Sequence, residues 1–129
     1  MSTHFTDAEL ACRCGCGLLP SANFIEALEG LRTVYASAMH ISSCARCPAH
    51  NEAVSTTGPE GPHIPRGDFA AVDVLVTGRD MWHLIHAAFK HGGWFGVGIS
   101  KRGDPSTHFV HLDNHWNGNG LPRPRVWTY

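Results

Sequence analysis

The sequence predicts an α+β fold in which two main helices pack on a small antiparallel sheet. Two segments repeat apolar residues every three or four positions, as amphipathic helices do, and four short apolar runs are bounded by turn residues, as strands are. Hydrophobic residues make up 43% of the 129 residues, which is enough to form a packed core. At this length one domain is expected, spanning residues 1–129.

The first helical patterns lie near the N-terminus. Thr6 and Glu9 form a capping-box pattern, which predicts one short helical turn that stops at the Cys/Gly run 12–17. Ser21 is a candidate N-cap for a longer helix over residues 22–38. The apolar stripe of this helix consists of Phe24, Ile25, Leu28, Leu31, Val34 and Tyr35.

Two strand patterns with a loop between them follow this helix. Residues 40–44 form a short strand candidate, and the many Gly and Pro residues of 56–67 exclude regular structure there. Residues 70–76 read as an apolar, β-branched strand that is interrupted by Asp73. Ionised carboxylates are rarely buried without a partner or a metal, so Asp73 is a candidate functional residue.

The second helix and two more strands come after Asp73. Thr77 can cap a helix over residues 79–90. Its inward residues are predicted to be Met81, Leu84, Ile85 and Phe89. Residues 96–100 and 108–113 are strand patterns joined by a Gly/Asp/Pro loop, which predicts antiparallel neighbours. The tail 121–129 is interrupted by Pro and is expected to pack over the surface.

The charge balance and hydropathy argue against two kinds of partner. Ten Lys and Arg residues against eleven Asp and Glu residues give a formal charge of -1, without a basic stripe, so nucleic acid is not expected as a partner. No run of about 18 apolar residues occurs, and the N-terminus lacks a signal-peptide pattern, so we expect no membrane insertion and no signal-dependent export. We expect a monomer.

A candidate metal site combines a loop residue with two strand residues. His63 lies in the Gly/Pro-rich loop, Asp73 in the strand that follows, and His111 in a later strand. Two imidazoles and one carboxylate are the protein ligands of many catalytic zinc ions, which keep a fourth position open. Because strand residues alternate between faces, Asp113 would share a cavity with His111.

The same residues resemble a known family. The chain resembles the zinc peptidases that include D-alanyl-D-alanine carboxypeptidases and bacteriophage L-alanyl-D-glutamate endopeptidases, a group related in structure to the hedgehog signalling domain. The resemblance runs from Phe5 to about Trp116. Its marks are Phe5 and Thr6 followed by 12–17, then 45–51, His63 to Asp73, 71–74, 96–99 and 109–113.

The resemblance implies a fold, a cofactor and a substrate class. It implies that His63, Asp73 and His111 bind one catalytic zinc ion. It also implies that Arg46 contacts a carboxylate or carbonyl oxygen of the substrate, and that the substrate is a peptidoglycan stem peptide containing D-amino acids. Zinc chemistry and a bidentate guanidinium fit such a role.

The spacing of the first two ligands departs from the family pattern. Nine residues separate His63 from Asp73, which is longer than the family's usual spacing. The usual spacing counted back from Asp73 reaches Arg66, which is not a zinc ligand. Either the loop carries an insertion around residues 66–69, or His63 is not the ligand. We favour the insertion, since added length in a Gly/Pro-rich loop costs little entropy.

The general base is a second departure. Many members carry an acid three residues before the last ligand, where this chain has His108. We predict that Asp113 is the general base and that His108 orients the water or stabilises the oxyanion. The alternative is that Asp113 only fixes an imidazole or a nearby backbone group.

Five cysteines lie in two short runs. Cys14 and Cys16 with Cys44 and Cys47 could supply four thiolates to a second, structural zinc ion. A disulfide between the N-terminal loop and the turn at Cys47 is an alternative in an oxidising compartment, and reduced thiols are a third.

The sequence thus predicts a zinc-dependent peptidase of the bacterial cell wall, cutting beside a D-residue as a carboxypeptidase or an endopeptidase. This activity fits an endolysin-like bacteriophage protein. We expect such a protein in the host or bacterial cytoplasm before its release, or on the virion. One alternative is a hedgehog-like module that binds zinc and cell-wall peptide without cutting. Another is a cysteine-zinc structural or nucleic-acid module.

Overall fold

The computed structural model describes residues 3–116 and 121–129. It is α+β, with the two long helices packed on one face of a five-stranded sheet of order β1-β2-β4-β3-β5. The helices are α1 (Asp7–Leu10), α2 (Ala22–Tyr35), α3 (Pro48–Val54) and α4 (Gly78–His91). The strands are β1 (His40–Ser43), β2 (Ala71–Leu75), β3 (Gly96–Ser100), β4 (Phe109–Asp113) and β5 (Arg125–Thr128).

The core lies between the two long helices and one face of the sheet. Helices α2 and α4 pack against each other, and the alternate strand residues that face them are aliphatic. The buried side chains of this layer include Phe24, Leu28, Leu31, Met81, Leu84, Val72, Val74, Val97, Val110 and Leu112. The other residues of β2 and β4, among them Asp73 and His111, therefore face away from the helices.

The strand register brings the polar residues of this second face together. β2 and β4 are antiparallel, and Asp73 lies directly opposite His111. β3 pairs with the other edge of β4, where Gly98 lies opposite His111 and Gly96 lies opposite Asp113. Two glycines thus flank the polar residues of β4 and leave space above them.

The predicted helices are confirmed, with corrections at their ends and faces. The capping box of Thr6 and Glu9 is formed, and the Ser21 side chain accepts a hydrogen bond from the backbone N–H of Phe24. Helix α2 ends at Tyr35 rather than at residue 38, because Ala36 adopts a left-handed conformation with φ 60°.

Two side chains predicted to face the core do not. Phe89 of α4 is 59% exposed and Val34 of α2 is 38% exposed, so the prediction was wrong for both. Each lies near the C-terminal end of its helix. Apolar spacing alone does not distinguish a residue above the sheet from one beyond its edge.

Two elements were not predicted. Helix α3 begins with Pro48 at its first position, and the Cys47 side chain caps it. The tail forms β5, which pairs in parallel with β3, so the sheet is mixed rather than purely antiparallel and the tail does more than cover the surface. Within the described part of the chain, no helix has the length and apolar character needed to cross a membrane.

Candidate metal centre

The three predicted ligands meet on the polar face of the sheet. The Nε2 atom of His63 lies 3.1 Å from Oδ1 of Asp73, and the Nδ1 atom of His111 lies 3.0 Å from the same oxygen. One donor atom from each residue lies within 4.8 Å of the other two. All three side chains are buried, so their positions are fixed by the fold, unlike those of charged groups that meet on a protein surface.

Backbone contacts in the loop before β2 hold His63 in place. Its carbonyl oxygen accepts a hydrogen bond of 2.9 Å from the backbone N–H of Arg46. The extra residues between His63 and Asp73 fold into a closed turn, in which Arg66 and Phe69 exchange two backbone hydrogen bonds of 2.9 and 3.0 Å. The insertion expected at 66–69 is therefore a compact turn, and the chain still brings His63 to Asp73.

In both histidines, the ring nitrogen that points away from Asp73 has a hydrogen-bond acceptor. Nδ1–H of His63 donates to the carbonyl oxygen of Cys44 at 2.7 Å, and Nε2–H of His111 donates to Oδ2 of Asp113 at 2.7 Å. In the neutral imidazoles the inward nitrogens are then lone pairs that face the Asp73 carboxylate. A cation between the members of this donor set would satisfy them, and histidines fixed in this way are typical of zinc sites.

Burial and mutual charge set the protonation of the cluster. Burial would raise the pKa of the Asp73 carboxyl, but His63 and His111 outweigh it and hold that pKa well below its usual range. Burial lowers the pKa of His63, against the opposing effect of Asp73. An ionised carboxylate and a neutral imidazole are the forms in which these residues bind a metal.

His111 is placed between two carboxylates. Burial would lower its pKa, but the hydrogen bonds to Asp113 and Asp73 outweigh burial and raise it. A cationic group, whether a proton or a metal ion, is therefore stabilised at this ring.

Asp113 lies behind His111, on the side away from Asp73. Its side chain is 0% exposed, and the Arg123 guanidinium donates to Oδ1 at 2.9 Å and to Oδ2 at 2.7 Å. Gly96 makes room for it, since a Cβ there would overlap the carboxylate. Burial would raise the pKa of Asp113, but His111 and Arg123 keep it well below its usual range. The position matches the alternative in which Asp113 fixes an imidazole, and it does not bring the carboxylate to the inward side where a general base would act.

His108 is not brought to the cluster. Its Nδ1 atom lies 2.7 Å from Oγ1 of Thr77, and its Nε2–H donates to the carbonyl oxygen of Gly103 at 3.2 Å. His108 immediately precedes β4, and it is not among the residues that line the cavity next to the cluster. His108 therefore does not line the cavity in which a reacting water would bind, and its role in orienting the water stays a prediction.

Arg46, the predicted substrate-binding residue, lies beside the metal group. One of its terminal nitrogens is 3.6 Å from Oδ2 of Asp73. The guanidinium is oriented by hydrogen bonds to Ser43 Oγ at 3.0 Å and to Asn51 Oδ1 at 3.1 Å. Asn51 comes from the unpredicted helix α3, so the sequence analysis missed the residue that positions Arg46.

The metal group opens into a cavity of roughly 440 Å³. The tail forms one wall, which the sequence analysis also missed. The Trp127 ring lies 5.1 Å from the His111 ring, and the guanidinium carbons of Arg123 and Arg125 lie 5.0 and 5.5 Å from the centre of the indole. The run of β-branched and aromatic residues over 126–129 was the signal that could have revealed a strand there.

The cysteines form a separate group whose membership differs from the prediction. Cys12, Cys14, Cys16 and Cys47 place their sulfur atoms within 4.8 Å of one another. Cys44 does not belong to the group; its side chain is buried in the core, where burial raises the pKa of its thiol to about 12. The predicted four-cysteine set was wrong in this one member, because the Cys44 side chain packs in the hydrophobic core.

Comparison with known proteins identifies one family. A model of the family described as Peptidase M15 matches residues 3–113, which contain all three members of the metal group but not β5. No curated protein and no solved structure matches the chain.

Proposed function

Because the chain belongs to the peptidase M15 family of zinc metallopeptidases, we propose that it hydrolyses a peptide bond next to a D-amino acid in peptidoglycan stem peptides. The observation that carries the proposal is the pair of inward ring nitrogens on His63 and His111, both directed at Asp73 at the floor of an open cavity. Two nitrogens and one carboxylate oxygen leave a position for water or substrate.

The chain supplies the groups that bind and orient a peptide. His63, Asp73 and His111 would hold zinc, which supplies the Lewis acidity that activates water and polarises a carbonyl. Arg46 binds a carboxylate or carbonyl oxygen of the substrate, because its guanidinium lies beside Asp73 in a fixed orientation. Trp127 covers the His111 side of the cavity and restricts access of bulk water to it.

The charge of the cavity supports an anionic peptide as the substrate. Arg46, Arg123 and Arg125 line it, and Asp73 is the one acidic side chain among the described residues that do so. Stem peptides carry free carboxylates, which such a cavity attracts. A bacteriophage protein that reaches the wall during lysis or from the virion fits this substrate.

The test is hydrolysis of purified peptidoglycan and of a synthetic stem peptide that ends in D-alanyl-D-alanine. We expect the zinc-loaded chain to release either free D-alanine or new peptide termini, which separates carboxypeptidase from endopeptidase action. H63A, D73A and H111A should each abolish hydrolysis and lose the catalytic zinc. H83A, which replaces an exposed histidine of α4, should retain both.

The second candidate function is a module that binds cell-wall peptide without cutting it. It is favoured by the absence of an unpaired carboxylate beside the metal group in the described residues, since Asp113 is engaged by Arg123 and His111. Residues 117–120 contain no Asp or Glu that could replace it. Zinc-loaded protein that cosediments with peptidoglycan but releases no product would establish this function and refute the peptidase.

A further inference from the structure

We propose that Cys12, Cys14, Cys16 and Cys47 bind a second zinc ion, which ties the N-terminal loop to the turn that carries Arg46. This site is separate from the catalytic one and does not depend on peptidase activity. It uses Cys12 in place of Cys44, the fourth cysteine of the sequence-based set.

The sulfur atoms are spaced as a tetrahedral thiolate site requires. With a zinc–sulfur bond of about 2.3 Å, two ligands of a tetrahedral site lie about 3.8 Å apart. The Sγ atoms of Cys14 and Cys47 are 3.7 Å apart, and those of Cys12 and Cys14 are 3.4 Å apart. Because all four sulfur atoms lie within 4.8 Å of one another, the group is arranged around a common point rather than as two separate pairs.

Backbone N–H groups support two of the sulfur atoms. The N–H of Cys47 donates to Sγ of Cys12 at 3.3 Å, and the N–H of His50 donates to Sγ of Cys47 at 3.4 Å. Such bonds favour the thiolate, which is the form that binds metal. The N–H of Gly15 also bonds to the carbonyl oxygen of Cys12 at 3.2 Å, which closes the turn that presents Cys14 and Cys16.

The site joins two segments that are far apart in the sequence. Three ligands come from the loop after α1, and the fourth directly follows Arg46. The backbone of Ala45 donates to the carbonyl oxygen of Leu10 at 3.2 Å, and Arg46 donates to that of His63 at 2.9 Å. A metal at Cys47 therefore restrains both the substrate-binding Arg46 and the backbone of a catalytic ligand.

The first test measures zinc in the full chain, purified with zinc and a thiol reductant. Elemental analysis should give two zinc ions per chain, one in C14S, one in H111A and none in the double variant. C44A should retain two, because this cysteine packs in the core. C14H, which replaces one zinc ligand by another, should also retain two.

The second test needs no variant of the cysteines to fold. Cobalt bound to the full chain should give a near-ultraviolet thiolate-to-cobalt charge-transfer band that persists in H111A. In H111A, whose remaining metal would be the one bound by the cysteines, amide hydrogen exchange at Arg46 should become faster after that metal is removed by a chelator. Both readouts are independent of hydrolysis, so a negative result here leaves the peptidase proposal standing.

Three results would overturn the second site. They are a single zinc ion in the unmodified chain that C14S retains, a cobalt spectrum without a thiolate band, and recovery of the four cysteines as disulfides by mass spectrometry without reduction. Loss of one zinc in C44A with two retained in C12S would instead assign the site to the sequence-based set and also refute the proposal.

Discussion

The two ring nitrogens of His111 have different partners, and this difference separates the two roles open to Asp113. The nitrogen that faces Asp73 belongs to the metal group, whereas the opposite nitrogen donates to Asp113. A carboxylate behind a metal-binding histidine orients the ring and raises its basicity. A general base must instead reach the water on the metal side.

Replacing Asp113 by Asn therefore has a distinctive expected outcome. D113N should weaken binding of the catalytic zinc by roughly 10- to 100-fold, because the ring loses its charged partner. At saturating zinc its hydrolysis rate should return to within a few fold of the unmodified chain. Zinc titrations followed by hydrolysis of the stem peptide measure both quantities.

A matched control is D80N, an exposed aspartate of α4, which should leave zinc affinity unchanged. Thermal unfolding of D113N checks that the unpaired Arg123 has not unfolded the chain. If D113N binds zinc normally and yet loses a factor of about 10² or more in rate at saturating zinc, Asp113 is the base and the present interpretation fails.

For single residues, the sequence predicted which three side chains meet, but not how the two imidazole rings are oriented. Residue types and the strand pattern indicated His63, Asp73 and His111. Which nitrogen of each ring faces the metal depends on the carbonyl of Cys44 and on Asp113, and the burial of Asp113 depends on Arg123. Arg123 belongs to the tail, whose position depends on the pairing of β5 with β3. Local sequence patterns therefore could not predict that Arg123 lies beside Asp113.

Strand β5 is the element that completes the cavity, and Gly98 determines how closely it approaches. A Cβ at Gly98 would lie 2.7 Å from Cε2 and Nε1 of the Trp127 indole. The indole in turn lies beside His111. The strand can therefore place its tryptophan over the metal group only because β3 has a glycine at this position.

The variant G98A should displace the Trp127 ring. We expect it to lower the free energy of unfolding by about 1–3 kcal/mol through overpacking. W127L should relieve the clash, so that the double variant G98A/W127L is more stable than the sum of the single effects predicts, with a coupling of about 0.5–3 kcal/mol. Urea unfolding of the four proteins measures this coupling, and additive effects would show that the glycine does not serve the indole.

The elements that the sequence predicted are those with strong local periodicity. α2, α4, β2 and β4 have clear apolar patterns. By contrast, α3 is a seven-residue helix capped by a cysteine, and β5 is a four-residue strand that follows two prolines. Both are stabilised by contacts with distant residues, and both line the cavity rather than the core.

For the whole molecule, the sheet separates a packed core from a polar site. Both faces are visible within β4. Val110 and Leu112 face the core, and the residues that alternate with them, His111 and Asp113, face the polar site. The helices stabilise the first face. The second face gathers buried carboxylates, imidazoles and guanidinium groups, whose mutual arrangement is favourable only when the cationic partners of the carboxylates are in place.

Metal removal should therefore lower the stability of the whole molecule. Zinc at about 100 times its dissociation constant stabilises the folded chain by about 2.7 kcal/mol per site. For a chain of this length that corresponds to a rise of about 10 °C in Tm. Dialysis against a zinc chelator should lower Tm by at least this amount, zinc should restore it, and magnesium should not, because the donor atoms are nitrogen and sulfur as well as oxygen.

H111A should lack the part of the rise that belongs to the catalytic site. An unmodified chain whose Tm does not respond to chelator or to added zinc would show that these buried groups satisfy one another without a metal ion.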